Sequence, residues 1–310
     1  MTQMTTRTGA ALAPAAFGTM QWGGSAEDAA SRAMFDACLS AGITHFDTAH
    51  VYTDGASETL LGALAEDRDD IFVATKAAYD RPATPDNLRH SLQTSQSRLQ
   101  RDVIDLFYLH RFDPATPLEQ TFETLARMQS DGAIRYIGVS NYAAWQVMKA
   151  QAVAATFDTR IDALQPMLNL VKRQAEVELL PMAQDQDIQV CAYSPLGGGL
   201  LTGKYAALGA EGRLTRDDRY AKRYGPEWMQ QAATSLTDIA HELQTPAATL
   251  AIAWLRRHAP QVHPILSART VEQLQPSLDG LTYEMADDVF AAICDLSPAP
   301  APATDRLEEA

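Results

Sequence analysis

A chemically distinct residue closes an apolar run about once every thirty residues in this chain. Asp47, Lys76, His110, Ser140, Gln165 and Tyr193 each end such a run, and successive members lie 29, 34, 30, 25 and 28 positions apart. A strand, a crossover helix and their connections need roughly 30 residues. The polar residue therefore recurs once per βα unit, at the carboxyl end of its strand. Eight β-like runs are expected, over 15–18, 43–47, 71–76, 104–110, 134–140, 161–165, 188–193 and 262–266.

Helix-like stretches separate these runs. Residues 29–41 put Ala33, Met34, Ala37 and Cys38 on one stripe and stop at Gly42. Thr84-Pro85-Asp86 opens 88–99, Thr116-Pro117 opens 118–129, and Thr245-Pro246 opens 249–258. Proline suits the first turn because its missing N–H has no partner there anyway. Alternation of this kind predicts a parallel sheet, either closed or doubly wound. In a closed barrel the six strand-end residues ring one site. In a doubly wound sheet they spread along an edge. No GxGxxG follows the first run, and Gly197-Gly198-Gly199 lies far downstream without that spacing. The expected fold is a single-domain (β/α)8 TIM barrel over 1–296. A length of 310 residues alone suggests two domains of about 150, but α/β barrels run past that as one.

Two segments break the rhythm. Tyr193 and Ser267 are 74 positions apart, which leaves room for a loop insertion over 205–230. Its Arg, Asp, Gly and Tyr content reads as an active-site lid or as a plain surface insertion. Residues 297–310, SPAPAPATDRLEEA, read as a disordered tail.

Charge narrows the partners. Thirty-nine acidic against 25 basic residues leave a net charge of −14. That disfavours nucleic acid and an anionic membrane surface, while a local basic pocket stays open. No run of about 18 apolar residues exists to cross a bilayer. Arg7 and the following GAALAPAAFG resemble a leader, but Pro14 interrupts them and a short strand is expected instead. The expected setting is cytoplasmic, with a monomer as default. Cys38, Cys191 and Cys294 lack metal-ligand spacing and are expected to be buried thiols. His45 and His50, at i and i+5, make a poor zinc pair, so no metal is expected.

Asp47, Tyr52, Lys76 and His110 form the constellation with chemistry in it. A phenol is a poor acid at neutral pH because its ordinary pKa is about 10. A nearby ammonium, here Lys76, favours the phenolate and lowers that value. Asp47 is placed to hold the lysine by an ion pair, and His110 to hydrogen-bond a carbonyl oxygen. Such a site gives a proton to oxygen, or takes it, while something else moves at carbon.

At these residues the chain resembles the aldo-keto reductase superfamily. The run FDTAHVYTDGASETLLG, residues 46–62, resembles that family's signature. FGTMQWG at 17–23, ATK ending at Lys76, DLFYLH ending at His110, IGVSNY at 137–142, YSPLGGGLLTGKY at 193–205 and ILSARTVEQL at 265–274 follow in the family's order. The resemblance spans Ala15 to about Leu281 and implies a barrel reductase that uses NADPH. It implies that Asp47, Tyr52, Lys76 and His110 are the catalytic tetrad. It implies that Ser140, Asn141 and Gln165 bind the nicotinamide carboxamide and that Tyr193 stacks on the ring. Gly18, Thr19, Met20 and Asp47 match the first cofactor turn. Ser194, Leu196, Gly198, Leu201 and Lys204 match the pyrophosphate stretch. Ser267, Arg269, Gln273 and Ser277 match the adenosine-phosphate end. Many relatives have Gly or Lys at Ser267 and Glu-Asn at Pro276-Ser277, and the Asn that usually contacts adenine is replaced here by Ser277. NADPH is preferred over NADH because the guanidinium of Arg269 suits a 2′-phosphate. Trp22, Tyr52, His110 and Arg111 are the expected substrate contacts, with Tyr79, Phe112, Tyr142 and Met167 as further pocket candidates. The substrate would be a small carbonyl compound, an aldehyde or ketone. The same residues serve an NAD(P)-dependent dehydrogenase that oxidises a sugar or alcohol. They also serve a low-turnover NADPH-binding subunit, as in relatives that regulate membrane channels.

Overall fold

The protein is described by a computed structural model, which covers residues 4–206, 211–306 and 308. Eight strands close into a parallel barrel in the order β1 to β8. They are β1 (Ala16–Gly18), β2 (His45–Asp47), β3 (Phe72–Ala77), β4 (Ile104–Leu109), β5 (Ile134–Ser140), β6 (Ala163–Gln165), β7 (Gln189–Ala192) and β8 (Val262–Leu266). All eight expected runs form strands. Five begin one or two residues later than expected, and β4 and β7 stop one residue short, because His110 and Tyr193 already belong to the loops at the mouth. Tyr193 still bridges Met167 in the parallel sense.

The crossovers are α1 (Asp28–Ser40), α2 (Ala56–Leu64), α3 (Pro85–Leu99), α4 (Leu118–Ser130), α5 (Ala144–Ala155) and α6 (Leu179–Asp185). The expected helix starts shift by up to three residues, because Pro85 and Ala247 already lie inside their helices. After β7 come two short helices, α7 (Arg213–Arg216) and α8 (Asp218–Arg223). Then follow α9 (Glu227–Glu242), α10 (Ala247–His258), α11 (Val271–Gly280) and α12 (Asp287–Cys294). Residues 207–210 of the expected insertion, and 307, 309 and 310 of the expected tail, lie outside the described residues. Ser297, where that tail begins, is buried, and its carbonyl accepts a hydrogen bond from Arg173 at 3.2 Å.

Two layers of core hold the barrel. Outside the sheet, strand residues such as Phe17, Phe46, Val73, Phe107, Ile137 and Leu164 pack against the helices. Inside it, Phe72, Ala74, Leu106, Tyr108 and Ala163 fill the lower barrel. Side chains alternate along a strand, so residues two apart share a face. Register then sets the height of the site. Lys76 lies opposite Tyr108, and Tyr108 opposite Gly138. A Cβ at Gly138 would fall inside the Tyr108 ring. Glycine there makes room for the phenol, and the Tyr108 ring lies 6.0 Å below the Lys76 ammonium. Cys38 and Cys191 are buried as expected; Cys294 is only half-buried and accepts from the Trp254 indole N–H at 3.3 Å.

Candidate active site

Strand direction gathers the expected residues at one end. Asp47 is the last residue of β2, Lys76 the last but one of β3, and His110 follows β4 directly. Lys76 is fully buried. Its Nζ donates to Asp47 Oδ1, to the Thr48 carbonyl at 2.7 Å and to the Tyr52 hydroxyl at 3.4 Å. Asp47 Oδ2 accepts from Gln165 Nε2 at 2.8 Å. The Tyr52 and His110 rings meet edge to face at 5.8 Å, and Tyr79 covers the other side of His110 at 4.7 Å.

The electrostatics correct one expectation. Burial is the largest influence on Tyr52 and pushes its phenol above the ordinary value, and the Lys76 charge pulls down without overcoming it. The phenol is therefore a proton carrier at neutral pH, and no standing phenolate forms. Burial also opposes the charge of Lys76, but Asp47 and Tyr52 outweigh it together, and the ammonium is held above its ordinary value. Burial, then Lys76 and Arg111, push His110 down to about 3, so its imidazole is neutral. Its Nδ1 is buried without a hydrogen-bond partner among the described residues. The tautomer is then left to whatever binds at the mouth.

A second cluster adjoins the first. Ser140 Oγ donates to the Gln165 carbonyl at 3.0 Å, and Asn141 Nδ2 donates to the His110 carbonyl at 3.0 Å. Asn141 Oδ1 accepts from the Tyr193 hydroxyl at 2.8 Å. Asn141 and Ser194 both adopt left-handed backbone, at φ +57° and +56°. Gly18 closes β1, where a Cβ would approach Ile265 to 2.9 Å. Thr19 Oγ1 donates to the Asp47 carbonyl at 3.2 Å, and Met20 is half-buried beside it. Gly197, Gly198 and Gly199 turn the chain with φ of +60°, +65° and +96°, values that suit glycine. The turn keeps Leu196 half-buried and Leu201 fully buried.

This arrangement fits a pyridine dinucleotide. An anionic cofactor in an acidic chain needs cations not already neutralised. Arg269 makes no ion pair among the described residues, and neither does Lys204, whose Nζ lies 4.8 Å over the Tyr205 ring. The Arg269 backbone N–H donates to Gln273 Oε1 at 3.3 Å, Ser267 is exposed beside it, and Ser277 is buried in α11.

Trp22 does not join the mouth. Its indole is fully buried against Phe17, Phe35 and Phe46, so it presents no surface to a substrate. Arg111 is exposed, and its guanidinium lies 5.4 Å over the Tyr79 ring. Asp113 is occupied elsewhere, by Ala83 N–H, Ala115 N–H and the Thr116 hydroxyl, so it does not tie Arg111 down. Sequence reasoning missed Tyr108, although it sits two residues before His110 on the same face of β4. It also missed Tyr220 of α8, which packs against Gly198, because nothing in the local sequence says where an insertion folds back.

Fold and site together have the layout of a (β/α)8 oxidoreductase. More particularly, the chain belongs to the aldo/keto reductase family, whose profile matches residues 15–297. An uncharacterised oxidoreductase of Bacillus subtilis, YrpG, is 30% identical to it, with 95% of each chain covered. Protein tas of Escherichia coli is 33% identical over 89% of this chain and 91% of its own. The human aflatoxin B1 aldehyde reductase member 2 is 34% identical over 84% of this chain and 79% of its own.

Proposed function

We propose that the protein reduces an aldehyde or ketone with NADPH and that Tyr52 is the general acid. One observation carries this reading: the Tyr52 hydroxyl lies 3.4 Å from a buried ammonium that Asp47 and a backbone carbonyl already hold. When bound, NADPH supplies the hydride. The chain's own residues manage the oxygen. His110, neutral, donates a hydrogen bond to the carbonyl oxygen and orients it. Tyr52 transfers its proton to that oxygen as negative charge builds there. Lys76 stabilises the phenolate left behind, a charge far more costly without an ammonium in a buried site. Asp47 and Gln165 keep Lys76 aimed. In the oxidative direction the same phenolate takes the proton back.

Ser140, Asn141 and Gln165 would hold the carboxamide, Tyr193 would lie along the ring, and the turn from Ser194 to Lys204 would follow the pyrophosphate. Arg269 supports NADPH over NADH, since a guanidinium can hold a phosphate by two parallel hydrogen bonds. The catalytic unit is taken as 1–296, in keeping with a family match that ends at residue 297.

The test is a fluorescence titration with NADPH and NADH, followed by an absorbance screen over aldehydes, ketones, quinones and sugars. Tighter NADPH binding and oxidation of NADPH by an aldehyde are expected. Tight binding with no turnover on the whole panel would overturn the reductase reading.

A further inference from the structure

The turn that carries Tyr52 is strained. Thr53, Asp54 and Gly55 follow it with φ of +47°, +53° and +95°, three consecutive residues in the left-handed region, two of them not glycine. Backbone of this kind persists only where its surroundings over-determine it. The surroundings here are specific. Arg98, at the end of α3, donates from one nitrogen to the His50 carbonyl at 3.0 Å and to Glu58 Oε2 at 3.1 Å. Glu58 is fully buried in the first turn of α2, and its other oxygen accepts from Thr75 Oγ1 at 2.6 Å. Thr75 immediately precedes Lys76 on β3.

Two glycines let this link form. A Cβ at Gly55 would fall inside the Arg98 guanidinium, and a Cβ at Gly62 would approach the Arg98 carbonyl to 2.6 Å. Gly62 thus lets the end of α3 lie close against α2, and Gly55 lets the guanidinium lie flat on the turn. The far side of the turn is tied as well, because Thr53 Oγ1 donates to the Trp22 carbonyl at 2.8 Å.

We propose that Arg98 and Glu58 are a positioning pair that holds the Tyr52 hydroxyl at its distance from Lys76. The pair joins the strand of the ammonium to the turn of the phenol through Thr75, Glu58, Arg98 and the His50 carbonyl. Neither residue touches the reacting atoms. The role rests on Tyr52 being the acid, and it predicts a loss in turnover that leaves cofactor binding alone. Arg98 is suited to it because a planar fork can serve a carbonyl and a carboxylate from one fixed plane.

The experiment compares the native chain with Arg98→Met, Arg98→Lys, Glu58→Gln/Arg98→Met and Tyr52→Phe. It reads kcat and KM for 4-nitrobenzaldehyde and the Kd for NADPH. A misplacement of about 1 Å costs on the order of 10²-fold in rate. Arg98→Met should lower kcat by about 10- to 100-fold, with KM and the NADPH Kd within about threefold, and Arg98→Lys should recover part of the loss. The double variant removes both charges together, so it stays folded if Arg98→Met alone fails because of an unpaired buried Glu58. Its kcat should fall as far. In a Tyr52→Phe background, adding Arg98→Met should change the residual rate less than about twofold, because residues that act through one group do not add. A native-like kcat in Arg98→Met or in the double variant would overturn the pair, and so would a full extra loss on top of Tyr52→Phe. An active Tyr52→Phe would sink the reading of the site, and this role with it.

Discussion

The Lys76 ammonium reaches the Tyr52 hydroxyl at 3.4 Å while it donates more closely to Asp47 and to the Thr48 carbonyl. The lysine is thus spoken for in the resting state, and the phenol keeps its proton. A stronger claim by the lysine on the tyrosine has to wait for charge to develop on the phenol oxygen. Under the proposed general-acid role of Tyr52, that is the differential interaction that would accelerate the chemical step.

Tyr52→Phe should remove the proton donor and little else. A general acid contributes typically about 10²–10⁴-fold. Turnover of a reactive aldehyde should fall by that order, while the NADPH Kd stays within about threefold of native. Normal turnover in this variant would remove Tyr52 from the chemistry.

Reduction should be flat with pH across the neutral range. Burial holds the Tyr52 phenol above its ordinary value, so its proton is lost only in strongly basic solution. His110, held down to about 3, contributes no limb between pH 5 and 8. A kcat profile that bends with a midpoint near 7 would contradict both assignments.

Folding stability should drop on mild acidification. Burial holds the imidazoles of His45 and His110 at about 3 and that of His263 at about 4, against 6.5 in the unfolded chain. The unfolded state therefore binds protons that the folded state refuses as pH falls from 6.5 towards 3. The stability these residues contribute is whole above pH 6.5 and is lost through that window. Burial also lowers His50, which adds to these three, while Asp162, pushed up to about 6 by burial, and Asp47, likewise raised by burial, work in the opposite direction, two carboxylates against four imidazoles. The midpoint of urea unfolding should be lower at pH 5 than at pH 7.5; an equal or higher midpoint would count against neutral buried histidines.

Arg111 is exposed and makes no ion pair among the described residues. Asp113, its nearest acidic neighbour in sequence, is engaged by Ala83, Ala115 and Thr116, and the guanidinium lies over Tyr79 beside His110. Arg111→Ala should raise KM for a carboxylate-bearing aldehyde by about tenfold, the worth of one charge-assisted hydrogen bond, and leave a neutral aldehyde unchanged. Equal effects on both would reduce Arg111 to loop packing.

Arg269 should distinguish the two nicotinamide cofactors. Arg269→Ala should weaken NADPH by about tenfold or more and barely alter NADH, because only NADPH carries the 2′-phosphate. Parallel losses for both would move Arg269 away from that phosphate.

Much of the barrel was legible in the chain, because a parallel βα unit writes its period twice, once in apolar runs and once in the polar residue that ends each. Asp47, Lys76 and His110 could be set at the carboxyl ends of their strands by counting alone, and at one mouth once the sheet was taken as closed. Counting could not weigh burial against charge at Tyr52: the effect of Lys76 is visible from residue type, whereas desolvation depends on what surrounds the ring. Nor could it show that Trp22, two residues from Met20, turns into an aromatic cluster under α1 while its neighbours stay near the mouth. The link from Thr75 through Glu58 to Arg98 joins three elements and was invisible for the same reason. By itself the sequence determined the rhythm of the strands, the parallel sheet that rhythm implies and the chemical types at their ends, since these follow from local period and composition. The tertiary structure decided which of those groups are charged, which are covered and what holds the strained turn of Tyr52, since these depend on contacts between residues far apart in the chain.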